Sequence, residues 1–291
     1  MKRSQPPAPE SNEPDIPRMQ CPPALPEFRK IVLDHYRNHG RDLAWRKTTD
    51  PYRILVSEIM LQQTQVERVT QKYPAFIAAF PDFAALARAP LSDVLAVWQG
   101  MGYNRRAISL QKCAQRVVDG YDGVLPQDPE ILATFPGIGK ATAASVCAFA
   151  FNKPVVFIET NIRRVFIHFF FGDRETVDDS EILLIARQAL LMQDPRTWYN
   201  ALMDLGTALK KGGENPNRRS RHYTKQAAFE GSDRKIRGCI LRLLLAEKHL
   251  KQKTIVEKFS EEPSRIIRIL NNLESEGFIT RSGTVFTITS R

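Results

Sequence analysis

The sequence predicts a mainly helical protein that ends in a small unit of helices and a hairpin. Across residues 27–209 apolar side chains recur three and four positions apart, the period of a helix with one buried stripe. Ile54, Leu55, Ile59 and Leu61 show it, and so do Leu91, Val94, Leu95 and Trp98. From residue 234 the same period persists for three segments and then yields to alternation around Ser282-Gly283, the period of a strand pair.

In chain order, residues 1–26 are rich in proline and poor in apolar side chains, which predicts an extended or disordered tail. Prolines then divide the helical region at Asp50-Pro51, Phe80-Pro81, Ala89-Pro90, Leu125-Pro126, Pro136-Gly137 and Asp194-Pro195. Ser92-Asp93 is a candidate helix start, and only Val155 to Ile158 reads as extended. Residues 210–233 set Lys210, Lys211, Arg218, Arg219, Arg221 and Lys225 among Asn, Pro and Ser, a basic and weakly structured connector. In residues 234–291, helices are expected over Ile236–Ala246, over Thr254–Phe259 and from Pro263 to Gly277, followed by strands at 278–280 and 284–288. Three helices and a hairpin make the winged-helix plan. Its third helix would carry Arg265 and Arg268 toward DNA, or the module would bind protein or dimerise.

Lys plus Arg number 42 against 32 Asp plus Glu, a net charge of +10 that favours a polyanionic partner such as nucleic acid. No apolar run reaches membrane-span length and no signal-peptide core is present, so a cytoplasmic, nucleoid-associated protein without a membrane partner is expected. Cys21, Cys113, Cys147 and Cys239 are scattered without ligand spacing and read as free thiols in a reducing compartment.

Phe135-Pro136-Gly137-Ile138-Gly139-Lys140 lies between two helical stretches. Gly137 and Gly139 permit a tight turn at positive φ, leaving backbone amides free for a phosphate oxygen, and Lys140 adds a cation. The segment reads as a DNA anchor that ignores base sequence. Glu58 precedes an uncharged run, Gln62, Gln63, Thr64 and Gln65, whose amides suit probing a base pair or filling the gap left by an extruded base. Glu159 follows four apolar residues and is expected near the core. One carboxylic acid to protonate a departing base and one carboxylate to stabilise the sugar cation are what glycosidic cleavage requires. Two glutamates far apart in sequence do not by themselves establish that chemistry.

The runs Arg41-Asp42-Leu43-Ala44-Trp45-Arg46, Ser57-Glu58-Ile59-Met60-Leu61-Gln62-Gln63-Thr64-Gln65, Trp98-Gln99-Gly100-Met101-Gly102-Tyr103 and Asn161-Ile162-Arg163-Arg164-Val165 resemble adenine-DNA glycosylases of the MutY type. These belong to the helix-hairpin-helix superfamily, and the resemblance spans about residues 28–209, through Ala201-Leu202-Met203-Asp204-Leu205-Gly206. It implies two helical subdomains with the target base held between them. It places Glu58 as general acid and Glu159 as catalytic carboxylate, with Asn161 orienting it. Arg41, Trp45, Arg46, Leu61 and Asp204 would line the base pocket, and Gln63 and Tyr103 would wedge into the duplex.

Four departures qualify the resemblance. Glu159 stands where the family has aspartate, one methylene shorter. Ala141 occupies the position of the lysine nucleophile of endonuclease III-type relatives, and lacks the Tyr or Ser of adenine-removing ones. Residues 207–233 hold no cysteine where many members ligate an iron–sulfur cluster, so no cluster is expected. The basic stretch around Arg218 and Arg219 would replace that loop electrostatically. A winged-helix-like module stands where full-length relatives carry a domain that reads 8-oxoguanine. The resulting expectation is a monomeric, monofunctional glycosylase without lyase activity, acting on double-stranded DNA with a mismatched or damaged base. Mismatched adenine is the first candidate target and hypoxanthine or uracil the alternative. A non-catalytic damage binder and a transcription regulator are the competing classes.

Overall fold

The computed structural model describes residues 21–172, 174–211, 215–224 and 229–290, so the tail expected over the first residues lies almost wholly outside them. The first helices are α1 (Leu25–His39), α2 (Pro51–Leu61), α3 (Val66–Ala79), α4 (Phe83–Arg88), α5 (Leu91–Trp98) and α6 (Arg105–Gly120). Local chemistry starts several of them. Asp50 accepts from the Tyr52 and Arg53 amides, with Pro51 in the first turn of α2. Asp82 caps α4 through the Ala85 amide. α5 begins at Leu91, one residue before the expected Ser92-Asp93, because Pro90 holds the extended N-cap and no side chain caps it.

Next come α7 (Pro129–Leu132), α8 (Lys140–Phe151), α9 (Thr160–Phe170), α10 (Asp179–Ala189) and α11 (Pro195–Lys211). α8 is buried along its whole interior, from Ala143 to Ala150. Asp178 and Glu181 form a capping box at α10. Val155–Ile158 is an extended connection that pairs with no strand among the described residues. The chain closes with α12 (Asp233–Glu247), β1 (Leu250–Lys251), α13 (Gln252–Glu257), α14 (Pro263–Ser275), β2 (Ile279–Ser282) and β3 (Val285–Ile288). The hairpin is as the alternation predicts. The short β1 adds an antiparallel partner, giving the order β1-β3-β2 with Leu250 opposite Phe286 and Ile279 opposite Ile288.

The chain divides into two compact units. One comprises residues up to Arg41 with Asn152–Thr224. There α1 lies against α9 and α11, and the Phe28 ring meets Phe166, Phe169, Phe170 and Trp198 at centroid distances of 5.4, 5.4, 4.8 and 5.8 Å. The segment 215–224 is better ordered than a weakly structured connector. It forms a 3-10 turn over Pro216–Arg219 that packs on α9, and Ser220 bridges to Val177.

The other unit comprises Asp42–Phe151 with Lys225–Arg291. In it α2 packs between α3 and α8, and α4 lies on α6. Composition marks residues 234–291 as a unit of their own, but the structure groups them with the preceding helical region. Arg105 on α6 and Arg237 on α12 both close on Glu276, at 2.7 and 2.8 Å. Burial pushes the Glu276 carboxyl up, and the hydrogen bonds from Arg237 and Arg105 override it, bringing it down to about 2.

Candidate active site

The two candidate carboxylates lie in different units. Glu58 sits in the second half of α2, half-buried among Ser57, Ile59 and Met60, which are buried. It meets Ser145, a serine 3 % exposed within the buried run of α8. The Ser145 hydroxyl donates to Glu58 Oε2 at 2.5 Å and also stands 3.0 Å from the Thr142 carbonyl oxygen. A hydroxyl carries one proton. That proton is therefore shared between the Glu58 carboxyl and the Thr142 carbonyl, and it fixes Glu58 against α8. The pocket-lining Trp45 of the resemblance is buried on a 3-10 turn, edge-on to Tyr73 at 5.6 Å, and Arg46 beside it and Leu61 at the end of α2 are half-buried.

The glutamine run is held by one cation. Arg106 on α6 is 8 % exposed, and its guanidinium donates to the carbonyls of Ile59, Met60 and Gln62 at 2.9, 2.8 and 2.6 Å. It also donates to Thr64 Oγ1 at 2.9 Å and to the Gly102 carbonyl at 3.1 Å. Those acceptors include the last carbonyls of α2, where a helix presents its negative end. Burial lowers Arg106 to about 10, still far above neutrality. One side chain thus fixes both the 62–65 loop and the 101–103 loop. Gln63 and Tyr103, the expected wedges, both take positive φ, 54° and 48°. Non-glycine residues rarely do so, and strain of this kind collects at functional loops. Gln65 is exposed at the start of α3. Gln62 braces the hairpin, its amide donating to the Gly137 carbonyl and to Thr142 Oγ1, both at 3.2 Å.

The expected hairpin joins α7 to α8. Only one of its glycines uses the left-handed region: Gly137 has φ +72°, whereas Gly139 does not, contrary to the expectation for both. A Cβ on Gly137 would stand 2.7 Å from the Ser109 Cβ. Lys140 opens α8 and is exposed, as is Ala141 beside it.

In the first unit Arg41 and Asp204, both assigned to the base pocket by the resemblance, are bonded to each other. The Arg41 amide donates to Asp204 Oδ2 at 2.9 Å and its Nε to Oδ1 at 2.6 Å, with Asp204 3 % exposed. Glu159 is the N-cap of α9. Its Oε1 accepts from the amides of Asn161 and Ile162 at 2.7 and 2.8 Å, and its Oε2 from Asn161 Nδ2 at 3.3 Å. Burial pushes the Glu159 carboxyl above its ordinary value, against the pull of those amides and of Arg164 and Arg163.

Behind Asn161 stands Arg164, 3 % exposed, which the sequence reading did not single out. It donates to Asn161 Oδ1 at 2.8 Å, to the Gly206 carbonyl at 2.5 Å and to Asn215 Oδ1 at 3.1 Å. Asn217 Nδ2 donates to the Thr160 carbonyl at 2.8 Å. Gly206 is glycine for space, since a Cβ there would lie 2.4 Å from the Asn161 carbonyl oxygen.

The remaining basic candidates are placed as follows. Arg218 is exposed, and Arg219 is half-buried and donates to the Gly172 carbonyl. Arg265 and Arg268, expected to reach outward from α14, are both bound to Asp233 at the start of α12, at 2.9 Å each. Their charge is engaged within the unit.

This chain is 32 % identical over 278 residues to the adenine DNA glycosylase of Mycobacterium tuberculosis, covering 86 % of this chain and 90 % of that one. The chain belongs to the HhH-GPD superfamily of base excision DNA repair proteins. The model of that superfamily matches residues 56–188. A thymine/uracil-DNA glycosylase of Pyrobaculum aerophilum is 34 % identical over 175 residues, 58 % of this chain and 75 % of that one. The solved structure of a thermostable thymine-DNA glycosylase superposes with a TM-score of 0.58 at 29 % identity, covering 63 % of this chain and 88 % of that chain. The protein is therefore a base excision repair glycosylase with the mainly helical fold of its superfamily. Ser145 and Arg106 in one unit, and Arg164 in the other, are the residues beside the candidate carboxylates and loops that sequence reasoning missed. A hydroxyl inside the apolar run Ala143-Ala144-Ser145-Val146 and an arginine inside an apolar helix face were the available signals.

Proposed function

We propose that the protein is a monofunctional adenine DNA glycosylase that removes mismatched adenine from duplex DNA and leaves the strand intact. The observation that carries this reading is the half-buried Glu58 carboxyl held by the Ser145 hydroxyl at 2.5 Å, together with the adenine DNA glycosylase relative that matches most of the chain. Glu58 protonates the departing base. Glu159, anchored by two amides and Asn161, stabilises the positive charge that develops on the sugar. No amine replaces the lyase nucleophile, because Ala141 holds that position and Lys140 projects from a different angle of the helix.

The residues present do not fit an iron–sulfur cluster. The segment 207–233 contains no thiol. Its 215–220 part is tied to the fold by amide and guanidinium groups of Asn215, Asn217 and Arg164. Cys113 and Cys147 lie in the other unit, donating to the Pro136 and Gln127 carbonyls. The protein acts as a monomer on the duplex.

The test is single-turnover base release from duplexes holding adenine opposite 8-oxoguanine, guanine or cytosine, and hypoxanthine, uracil or thymine opposite guanine. Adenine release with strand breaks only after alkali is expected. Breaks without alkali would overturn the monofunctional assignment. Release of uracil or thymine instead would favour the second reading, which rests on the similarity to thymine/uracil glycosylases.

For the hairpin, Gly137→Val is expected to weaken binding to every duplex alike, matched or mismatched. The branched Cβ meets Ser109 and the backbone is at positive φ, a combined strain of about 1–3 kcal/mol. Titration of a matched and a mismatched duplex checks this. A loss confined to the mismatched one would show that the turn reads the lesion and not the phosphates.

A further inference from the structure

A groove of about 1280 Å³ runs through the second unit, outside the Glu58 surroundings. One wall is built from the two strained loops, Gln62–Gln65 and Gly100–Arg106, and from the α3 side chains Arg68 and Lys72. The other wall is α12, through Arg234, Lys235 and Arg242. Among the described residues no aspartate or glutamate lines it. Its volume exceeds the few hundred to about 1,000 Å³ typical of small-molecule sites, and apolar side chains such as Leu95, Met101 and Leu241 share its lining with arginines, lysines, glutamines and the Tyr103 and Phe229 rings. A polymer with negative charges and stacking rings matches that lining.

The charges in the groove are not equally available. Arg106 is engaged with backbone carbonyls, Arg105 and Arg237 with Glu276, and Lys235 with Glu230. Arg68, Lys72 and Arg242 close no ion pair among the described residues, and Arg68 and Arg242 are exposed. Arg234 bridges the walls: its guanidinium lies 5.2 Å from the Tyr103 ring centroid and bonds the Tyr103 hydroxyl. α14 contrasts with α12. Its two arginines are tied to Asp233, and its exposed face otherwise carries uncharged residues such as Ser264, Asn271 and Asn272.

We propose that the C-terminal segment engages DNA through α12 and not through α14, with the phosphates of one strand lying in the groove between α12 and α3, beside Tyr103. This rests on the reading of the protein as a DNA glycosylase. It makes the segment an extension of the duplex-wedging loops, with phosphate contacts that do not depend on base sequence.

The experiment uses the full chain and a labelled duplex without a lesion, with affinity measured across a range of salt concentrations. Arg68→Glu/Arg242→Glu, one change on each wall, is expected to weaken binding at least about tenfold. It should also flatten the plot of log affinity against log salt by about two contacts, each contributing about 0.9. The milder Arg68→Gln/Arg242→Gln carries the same expectation at smaller size, and its thermal melt confirms that the fold is intact. Ser264→Glu/Asn271→Glu on α14 is expected to leave affinity and slope unchanged.

Unchanged affinity and slope in both arginine variants would overturn the proposal. So would loss of binding in the α14 variant alone, or polyglutamate competing as well as DNA at equal charge. Base release by the unmodified protein is read separately on the duplexes above. A protein that binds through the groove but releases no base would sink the glycosylase substrate reading and leave this one standing.

Discussion

Glu58→Gln is expected to cut single-turnover base release by about 10²- to 10⁴-fold, the usual contribution of a general acid, with duplex affinity retained. Glutamine keeps the shape of the side chain and can still meet the Ser145 hydroxyl, so the fold around α2 and α8 should persist. What it cannot do is deliver a proton to the leaving base. Ser145→Ala gives a graded companion. It removes one hydrogen bond to a group that is charged in one of its two states, worth about 1–2 kcal/mol, and should slow release about tenfold. Quench-flow rates with affinity measured in parallel separate the two effects. A Glu58→Gln protein that retained full rate would remove Glu58 from the acid role.

Glu159→Gln is expected to abolish turnover to a comparable degree, and its pH behaviour is distinctive. The reaction needs Glu159 ionised, and burial raises its carboxyl above the ordinary range. As pH falls through that raised value, Glu159 takes up a proton and activity is lost. The sign for stability is opposite. A carboxyl whose pKa is raised on folding stabilises the fold when protonated, and that contribution is lost as pH rises from the ordinary glutamate range through the raised value. The acid limb of the activity profile is therefore a titration and not an unfolding, and a melt across that limb should show no loss of structure.

At neutral pH, Glu159→Gln removes an ion that burial disfavours, so its melting temperature should exceed that of the unmodified protein. The gap should shrink toward pH 4, near the ordinary glutamate value. A melting temperature below the unmodified protein at neutral pH would mean that the Asn161 and Ile162 amides and Arg164 outweigh burial. It would also move the acid limb into the ordinary carboxylate range. Glu159→Asp then tests length alone, since aspartate keeps the charge and the N-cap while drawing the carboxylate back by one methylene.

The sequence by itself determined the features that act over a few residues. Asp50-Pro51 and Asp178-Asp179-Ser180-Glu181 set helix starts because caps bind amides two or three positions on. The Pro136-Gly137 turn and the C-terminal alternation were legible for the same reason, and so were the two glutamates, through the runs that flank them. Tertiary structure decided the rest, because its partners meet across long stretches of chain.

Ser145 reaches Glu58 across 87 positions, and Arg41 reaches Asp204 across 163. No periodicity encodes such pairings. They follow from which helix faces pack, α2 on α8 in one unit and α1 on α11 in the other. Likewise only packing shows that Gln62 braces the hairpin, that Arg106 ties two loops to the end of α2, and that Arg265 and Arg268 are held by Asp233 while α12 turns Arg234 and Arg242 to a groove. A sequence lists charges, but whether a given arginine finds a carboxylate, a carbonyl or water depends on the atoms that the fold brings within hydrogen-bond distance.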